Sequence, residues 1–148
     1  MKLLIECLRS GTLASLAMMP FGKLFSTLGL RVGHYGPKFA DWLFGRSDSG
    51  ILLLQHFVLG WLSALPLLLV FAWPPAAPRP LLCGALYGAA YYVLVNSLGL
   101  PLFFADPLPW QLGLATVLPS LTVHLVFGLC VAWAARGYLG SLQSARVA

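Results

Sequence analysis

Residues 50–73 read GILLLQHFVLGWLSALPLLLVFAW, an uncharged and mostly apolar run. Similar runs cover Leu4–Leu30, Leu81–Phe103 and Gly113–Ala135. A membrane-spanning helix needs about 20 mostly apolar residues, so the sequence predicts four such helices. The stretch Pro74–Pro80 separates the second run from the third, because it is too rich in proline to continue a helix.

The composition indicates an integral membrane protein. Hydrophobic residues make up 59% of the 148-residue chain, charged residues make up 9%, and the mean hydropathy is +0.86. Soluble domains are typically about 45–50% apolar and about 25% charged. The length suits a single transmembrane domain over residues 1–148. The net charge of +5 comes from scattered Lys and Arg residues without a basic run, which argues against nucleic-acid binding.

The chain repeats its own pattern. Three strings recur in the same order: TLGL at 27–30 and SLGL at 97–100, FADWL at 39–43 and FADPL at 104–108, HFVLG at 56–60 and HLVFG at 124–128. Such self-similarity indicates an internal repeat, here about residues 1–74 and 75–148. With two helices in each repeat, we expect an all-α four-helix membrane bundle built from two tandem, parallel hairpins.

The repeat pairs His56 with His124. Each histidine is followed four residues later by a glycine, Gly60 or Gly128, and residues at this spacing share one face of a helix. Small residues on such a face let membrane helices approach closely. The symmetry of the repeat predicts that the two imidazoles lie across from each other in the outer half of the bilayer.

Three interpretations of the histidine pair remain open at this point. His56 and His124 could be the axial ligands of a b-type haem, with Gly60 and Gly128 making room for the macrocycle. They could instead titrate protons or contact a substrate in a polar cavity. In the third interpretation, which we favour on sequence grounds, each histidine forms a structural hydrogen bond to a neighbouring helix or loop.

The third apolar run contains further polar side chains. Tyr87, Tyr91 and Asn96 could line a cavity together with the histidines. Alternatively, they form hydrogen bonds between helices, each contributing ~0.6 kcal/mol in a membrane. The second interpretation is the simpler one.

The connections 33–50 and 101–112 are rich in aromatic residues, which favour the membrane interface. A short interfacial helix is predicted from Pro37 to Phe44, and Asp48 or Ser49 is expected to cap the second span. Asp41 and Asp106 are expected to cap helices or stabilise turns. His34 is expected to face solvent.

The distribution of basic residues predicts that both termini lie in the cytoplasm. This orientation places five of them inside (Lys2, Arg9, Arg79, Arg136, Arg146) and three outside (Arg31, Lys38, Arg46). Lys23 would extend along the first helix towards the outer interface.

The sequence lacks the GxSxG, Walker-type and HExxH motifs, and no catalytic or metal-ligating group is evident. We therefore expect a non-enzymatic membrane protein, an accessory or packing component of a membrane assembly. One alternative is a haem-binding electron-transfer subunit that uses His56 and His124. The other is a small transporter or channel, which requires a homo-oligomer because four helices rarely enclose a pathway alone.

Three glycine-containing motifs carry a resemblance to a known family. They are Gly11–Met18 in the first run, Gly84–Gly88 in the third and His124–Gly128 in the fourth, together with His56 and Gly60 in the second. In these features the chain resembles the YagU-like group of small four-span bacterial inner-membrane proteins. The resemblance implies a four-span topology and a bacterial inner-membrane location, and it implies no activity.

Overall fold

A computed structural model describes residues 1–71 and 79–140, and these residues contain helices but no β-strand. The helices are α1 (Lys2–Thr27), α2 (Tyr35–Phe44), α3 (Ser49–Phe71), α4 (Pro80–Tyr91), α5 (Leu100–Phe103) and α6 (Leu114–Ala134). A π-helical segment, Tyr92–Gly99, joins α4 to α5, so that Pro80–Phe103 is one continuous helix. A 3₁₀ turn, Pro109–Leu112, precedes α6.

Three helices of the described residues are long and apolar enough to cross a membrane: Ser49–Phe71, Pro80–Phe103 and Leu114–Ala134. The prediction of a multi-pass, all-helical membrane protein is confirmed at this level. The first predicted span is not among the three. Although α1 has 26 residues, it carries Glu6, Arg9 and Lys23 and several small polar residues, which lower its hydropathy. The predicted proline-rich turn falls mostly on residues 72–78, outside the described residues.

The four long helices pack in the spatial order α3, α1, α6, α4. The densely packed core lies towards one end of the molecule, where α3 and α6 finish, and includes Ala64, Leu68, Phe71 and Val131. At this end, which we call the terminal end, Arg9 forms an ion pair with Glu6 at 2.7 Å and donates to the carbonyl of Ala134. The start of α1 and the end of α6 are therefore tied together.

The opposite end, which we call the loop end, contains α2 and the segment between α5 and α6. The short helix predicted from Pro37 to Phe44 is present as α2, which begins two residues earlier, at Tyr35. Asp48 Oδ1 accepts hydrogen bonds from the backbone N–H groups of Gly50 and Ile51, each at 3.1 Å. This is the expected N-cap of α3. Trp42 and Phe103 make an edge-to-face contact with centroids 5.2 Å apart, which joins the two loop regions.

The repeated Phe-Ala-Asp string adopts two different structures. Ala40 and Asp41 lie inside α2, whereas Ala105 and Asp106 form the turn that follows α5. Ala105 has a φ of 53° in that turn. Asp106 binds Lys38 through both carboxylate oxygens, each 2.6 Å from Lys38 Nζ. The sequence likeness of the loops does not extend to their backbone conformation.

Candidate functional site

The loop-end half of the molecule contains a half-open cavity of about 630 Å³. Residues from α1, α3, α6 and the Pro80–Phe103 helix line its walls, and Val32, Gly33 and the stretch Tyr35–Pro37 cover part of it at the loop end. His56, His124, Tyr91 and Asn96 all lie in this lining, so the structure brings together four of the predicted polar residues. We call this space the central cavity.

His56 links α3 to α1 at the edge of the central cavity. Its Nε2 lies 3.0 Å from the carbonyl oxygen of Ser15. A carbonyl can only accept a hydrogen bond, so Nε2 carries a proton, and Nδ1 is the acceptor nitrogen of this tautomer. His56 lies roughly 10 Å along α3 from Ser49, at 1.5 Å per residue. The bond is of the structural type that we favoured from sequence.

His124 is bonded within its own helix. Its Nδ1 lies 2.6 Å from the carbonyl oxygen of Ser120, one turn earlier in α6. The ring stacks on Tyr91 with centroids 5.6 Å apart and an interplanar angle of 24°, and it also contacts Tyr92. By the same reasoning as for His56, Nδ1 carries the proton and Nε2 is the acceptor. The two histidines thus line the same cavity but have different hydrogen-bond partners.

Gln55 and Ser15 contribute polar atoms that sequence reasoning did not single out. Gln55 is 8% exposed, and its Nε2 donates to the carbonyl of Gly36 at 3.0 Å, while its Oε1 has no hydrogen-bond partner in the described part of the chain. Ser15 Oγ is similarly buried and unpartnered within these residues. A buried polar atom left unpaired costs about 1–3 kcal/mol. The only sequence signal for Gln55 was an amide inside an apolar run.

The other predicted polar residues divide into two groups. Tyr91 and Asn96 line the central cavity, where the Tyr91 hydroxyl accepts from Ser63 Oγ and Asn96 Nδ2 donates to Ser120 Oγ, both at 2.9 Å. Tyr87 lies outside the lining, next to the core, and its hydroxyl donates to the Ser63 carbonyl at 2.5 Å. Tyr87 is therefore placed as a link between α4 and α3.

The glycines that follow the histidines lie at helix crossings. A Cβ on Gly60 would overlap Ser15 Oγ, and a Cβ on Gly128 would overlap the carbonyl of Gly84. Gly60 borders the central cavity, whereas Gly128 lies in the crossing of α6 with α4. The small-residue faces are thus used within one chain.

This arrangement does not fit a bis-histidine haem. Each ring keeps one nitrogen without a proton, Nδ1 of His56 and Nε2 of His124, so the hydrogen bonds of the histidines do not decide against axial ligation, and the packing around the two glycines does. The space at Gly60 and Gly128, which the haem interpretation needs for the macrocycle, is filled by neighbouring atoms of α1 and α4.

A charged cluster lies beside the cavity at the loop end. It consists of Arg31, His34, Tyr35, Lys38 and Asp106. His34 Nε2 lies 2.5 Å from Arg31 Nη2 and 3.6 Å from Asp106 Oδ2. Partial burial and the neighbouring cations lower the pKa of His34, so the neutral ring accepts from Arg31. His34 was expected to face solvent, and it instead belongs to this cluster.

The charged cluster is joined to the central cavity. A second cavity, of about 80 Å³, is lined by Arg31, His34 and Asp106, and it shares Tyr35, Asn96 and Ser120 with the lining of the central cavity. The hydrogen bond from Lys38 lowers the pKa of Asp106, which keeps this carboxyl group ionised at neutral pH.

The site therefore combines a mostly apolar cavity inside a membrane protein with buried polar side chains at its loop end. Such a cavity can hold an amphipathic molecule, because the apolar wall accommodates a chain and the polar atoms orient a head group. Comparison of the chain with protein-family models, with curated proteins and with solved structures finds no match.

Proposed function

We propose that this chain is a non-enzymatic, four-span membrane protein that holds an amphipathic molecule within the bilayer, as an accessory component of the membrane. The observation that carries the proposal is the central cavity of about 630 Å³, bounded by all four long helices. Its volume is in the range of about 300–1,000 Å³ that small-molecule sites occupy.

The proposal counts α1 as a fourth span. Two observations support this: α1 packs against both α3 and α6, and its Ser15 helps to line the central cavity. Its charged residues Glu6 and Arg9 pair near the terminal end, where they can reach the interface. The basic residues favour a cytoplasmic location for this end and for both termini.

The two helix crossings are consistent with tandem hairpins. Gly11 on α1 approaches Gly60 on α3, and Gly84 on α4 approaches Gly128 on α6 in an equivalent way. A bacterial inner-membrane location is part of the same proposal and rests on the resemblance to the YagU-like group. The channel alternative requires polar faces that meet between subunits, whereas His56, His124 and Asn96 line a cavity within one chain.

The proposal can be tested by filling the cavity. Leu59 lines the central cavity, whereas Leu62 on the same helix lies outside the lining and is 61% exposed. Scintillation proximity measures the binding of tritiated hexadecan-1-ol, 1-methoxyhexadecane and hexadecanoic acid to the protein in mild detergent. We expect saturable binding of at least one of these, weakened about tenfold or more by Leu59→Trp and unchanged by Leu62→Trp.

Absence of saturable binding of all three amphiphiles would contradict the proposal, as would an equal loss in the two variants. A tryptophan at position 59 occupies space inside the cavity, while the control adds the same side chain to the outer surface of α3.

A further inference from the structure

We infer that the central cavity selects a neutral amphiphile whose head group donates hydrogen bonds, as a hydroxyl group does. The inference rests on the proposed function and names the class of molecule that the cavity takes. It follows from the distribution of donors and acceptors among the polar side chains of the lining.

The protein uses many of the side-chain N–H donors of the cavity wall, while the hydroxyls of Tyr91 and Ser120 act as acceptors and retain their O–H donors. His56 Nε2 and His124 Nδ1 both donate to backbone carbonyls, and Gln55 Nε2 donates to the carbonyl of Gly36. Asn96 Nδ2 donates to Ser120 Oγ. A ligand with acceptors alone would therefore find few free N–H groups in this wall.

The same bonds leave acceptors in place. His56 retains Nδ1, His124 retains Nε2 and Asn96 retains its amide oxygen. Gln55 Oε1 is buried at the cavity wall and has no partner among residues 1–71 and 79–140. A hydroxyl head group can donate to the acceptors of His56, His124 and Asn96, whereas an ether oxygen can only accept, for instance from the hydroxyls of Tyr91 and Ser120.

The charge of the lining favours a neutral head group. The described residues that line the central cavity include no Asp, Glu, Lys or Arg. An ammonium head would have no carboxylate beside it, and a phosphate or carboxylate head would have no basic side chain. The basic side chains of the adjoining charged cluster are already engaged, Lys38 by Asp106 and Arg31 by His34.

The position of the polar atoms sets the orientation of the ligand. Gln55 and His56 lie in the first two turns of α3 at the loop end, while Leu59, Val95 and Leu100 contribute apolar wall. The head group is therefore expected near the ring nitrogens of His56 and His124, with the apolar chain along α3 and the Pro80–Phe103 helix.

The test compares two ligands that differ in one donor. Hexadecan-1-ol and 1-methoxyhexadecane have the same hexadecyl chain and one head-group oxygen each. The oxygen is a hydroxyl in the first and a methoxy group in the second, so only the alcohol donates a hydrogen bond. With the tritiated alcohol as probe and the ether as competitor, we expect the alcohol to bind about tenfold more tightly. His124→Phe keeps an aromatic ring against Tyr91 and removes the acceptor, so we expect the ratio of the two affinities to fall towards one.

His34→Phe is the matched control, because it replaces a histidine outside the central cavity and should leave the ratio unchanged. Equal binding of alcohol and ether to the native protein, with Leu59→Trp still weakening both about tenfold or more, would overturn this inference and leave the proposed function intact. Loss of the ratio in His34→Phe to the same extent as in His124→Phe would also overturn it. If neither ligand nor the fatty acid binds, the proposed function itself is wrong.

Discussion

Two residues at the loop end show how single positions set the local backbone. Gly45 ends α2 with a φ of 68°, and Ala105 follows α5 with a φ of 53°. Both positions are left-handed, a conformation that glycine adopts freely and that costs other residues about 1–2 kcal/mol. Ala105 is held there because the N–H of Asp106 bonds to the carbonyl of Pro101 at 2.9 Å, which closes the end of the helix.

Substitution at these two positions should have opposite effects on stability. Ala105→Gly is expected to raise the free energy of unfolding by roughly 0.5–1 kcal/mol, since the relief of strain exceeds the added entropy of the unfolded chain. Gly45→Ala is expected to lower it by about 1 kcal/mol, although an added Cβ meets no atom within 4 Å. Thermal unfolding in one detergent measures both, and a stabilised Gly45→Ala protein would contradict the backbone assignment.

At the scale of elements, the helices are joined by backbone approach as much as by side-chain packing. Gly84 and Gly88 on α4 lie against Gly128 and the carbonyl of His124 on α6. Gly11 and Gly60 form the corresponding approach of α1 to α3. Small residues permit these crossings because they let the two backbones approach closely. In lipid there is little hydrophobic force between helices, so close van der Waals contact has to stabilise their association.

The α4–α6 crossing gives the element-scale prediction. Gly128→Ala places a methyl group where the Gly84 carbonyl lies, so the helices must separate, and we expect a loss of about 2 kcal/mol of stability. Gly22→Ala on α1 is the control, because an added Cβ there meets no atom within 4 Å and alanine favours the helix. Thermal unfolding compares the two. A Gly128→Ala protein as stable as the native one would show that this crossing is looser than described.

At the scale of the whole molecule, the loop end is held together by charged side chains from distant parts of the sequence. Lys38 joins α2 to Asp106 in the loop after α5, and Tyr35 stacks on Phe104 with centroids 6.1 Å apart. Burial and the nearby Asp106 carboxylate raise the pKa of Tyr35. This cluster covers the loop end beside the central cavity, so its protonation state bears on the stability of the region.

The cluster predicts a stability that falls on acidification. The folded pKa of His34 is below its ordinary value of about 6.5, so the unfolded chain binds the proton first and stability declines as the pH falls from about 6.5 through the folded pKa. The lowered pKa of Asp106 adds a second loss below its ordinary value of about 3.9. Both contributions are fully present at pH 8.

Melting temperatures between pH 8 and pH 3 measure this dependence. His34→Gln does not titrate, so it should reduce the decline that begins near pH 6.5 by the share that His34 contributes, and retain the lower one. An unchanged profile in His34→Gln would show that another group is responsible.

The sequence alone determined those helices and caps that depend only on residues within one segment. The length of the apolar runs predicted α3, the Pro80–Phe103 helix and α6 to within two residues at each described boundary, because the hydrophobic length needed to cross a bilayer is a property of each segment by itself. The cap at Asp48 and the helix α2 were also predictable, because residue preferences at the start of a helix are local to the segment.

Only the tertiary structure determined which residues line the cavity and which partners they have. Tyr91 lines the cavity and Tyr87 does not, although the two residues share a helix face, because lining depends on where α3 and α6 lie. The sequence paired His56 with His124, but their hydrogen-bond partners, Ser15 on another helix and Ser120 on the same helix, make them unequal. The burial of the Gln55 oxygen without a partner in the described residues depends on contacts between segments distant in sequence. The ion pair between Lys38 and Asp106 does so too, and no local pattern contains that information.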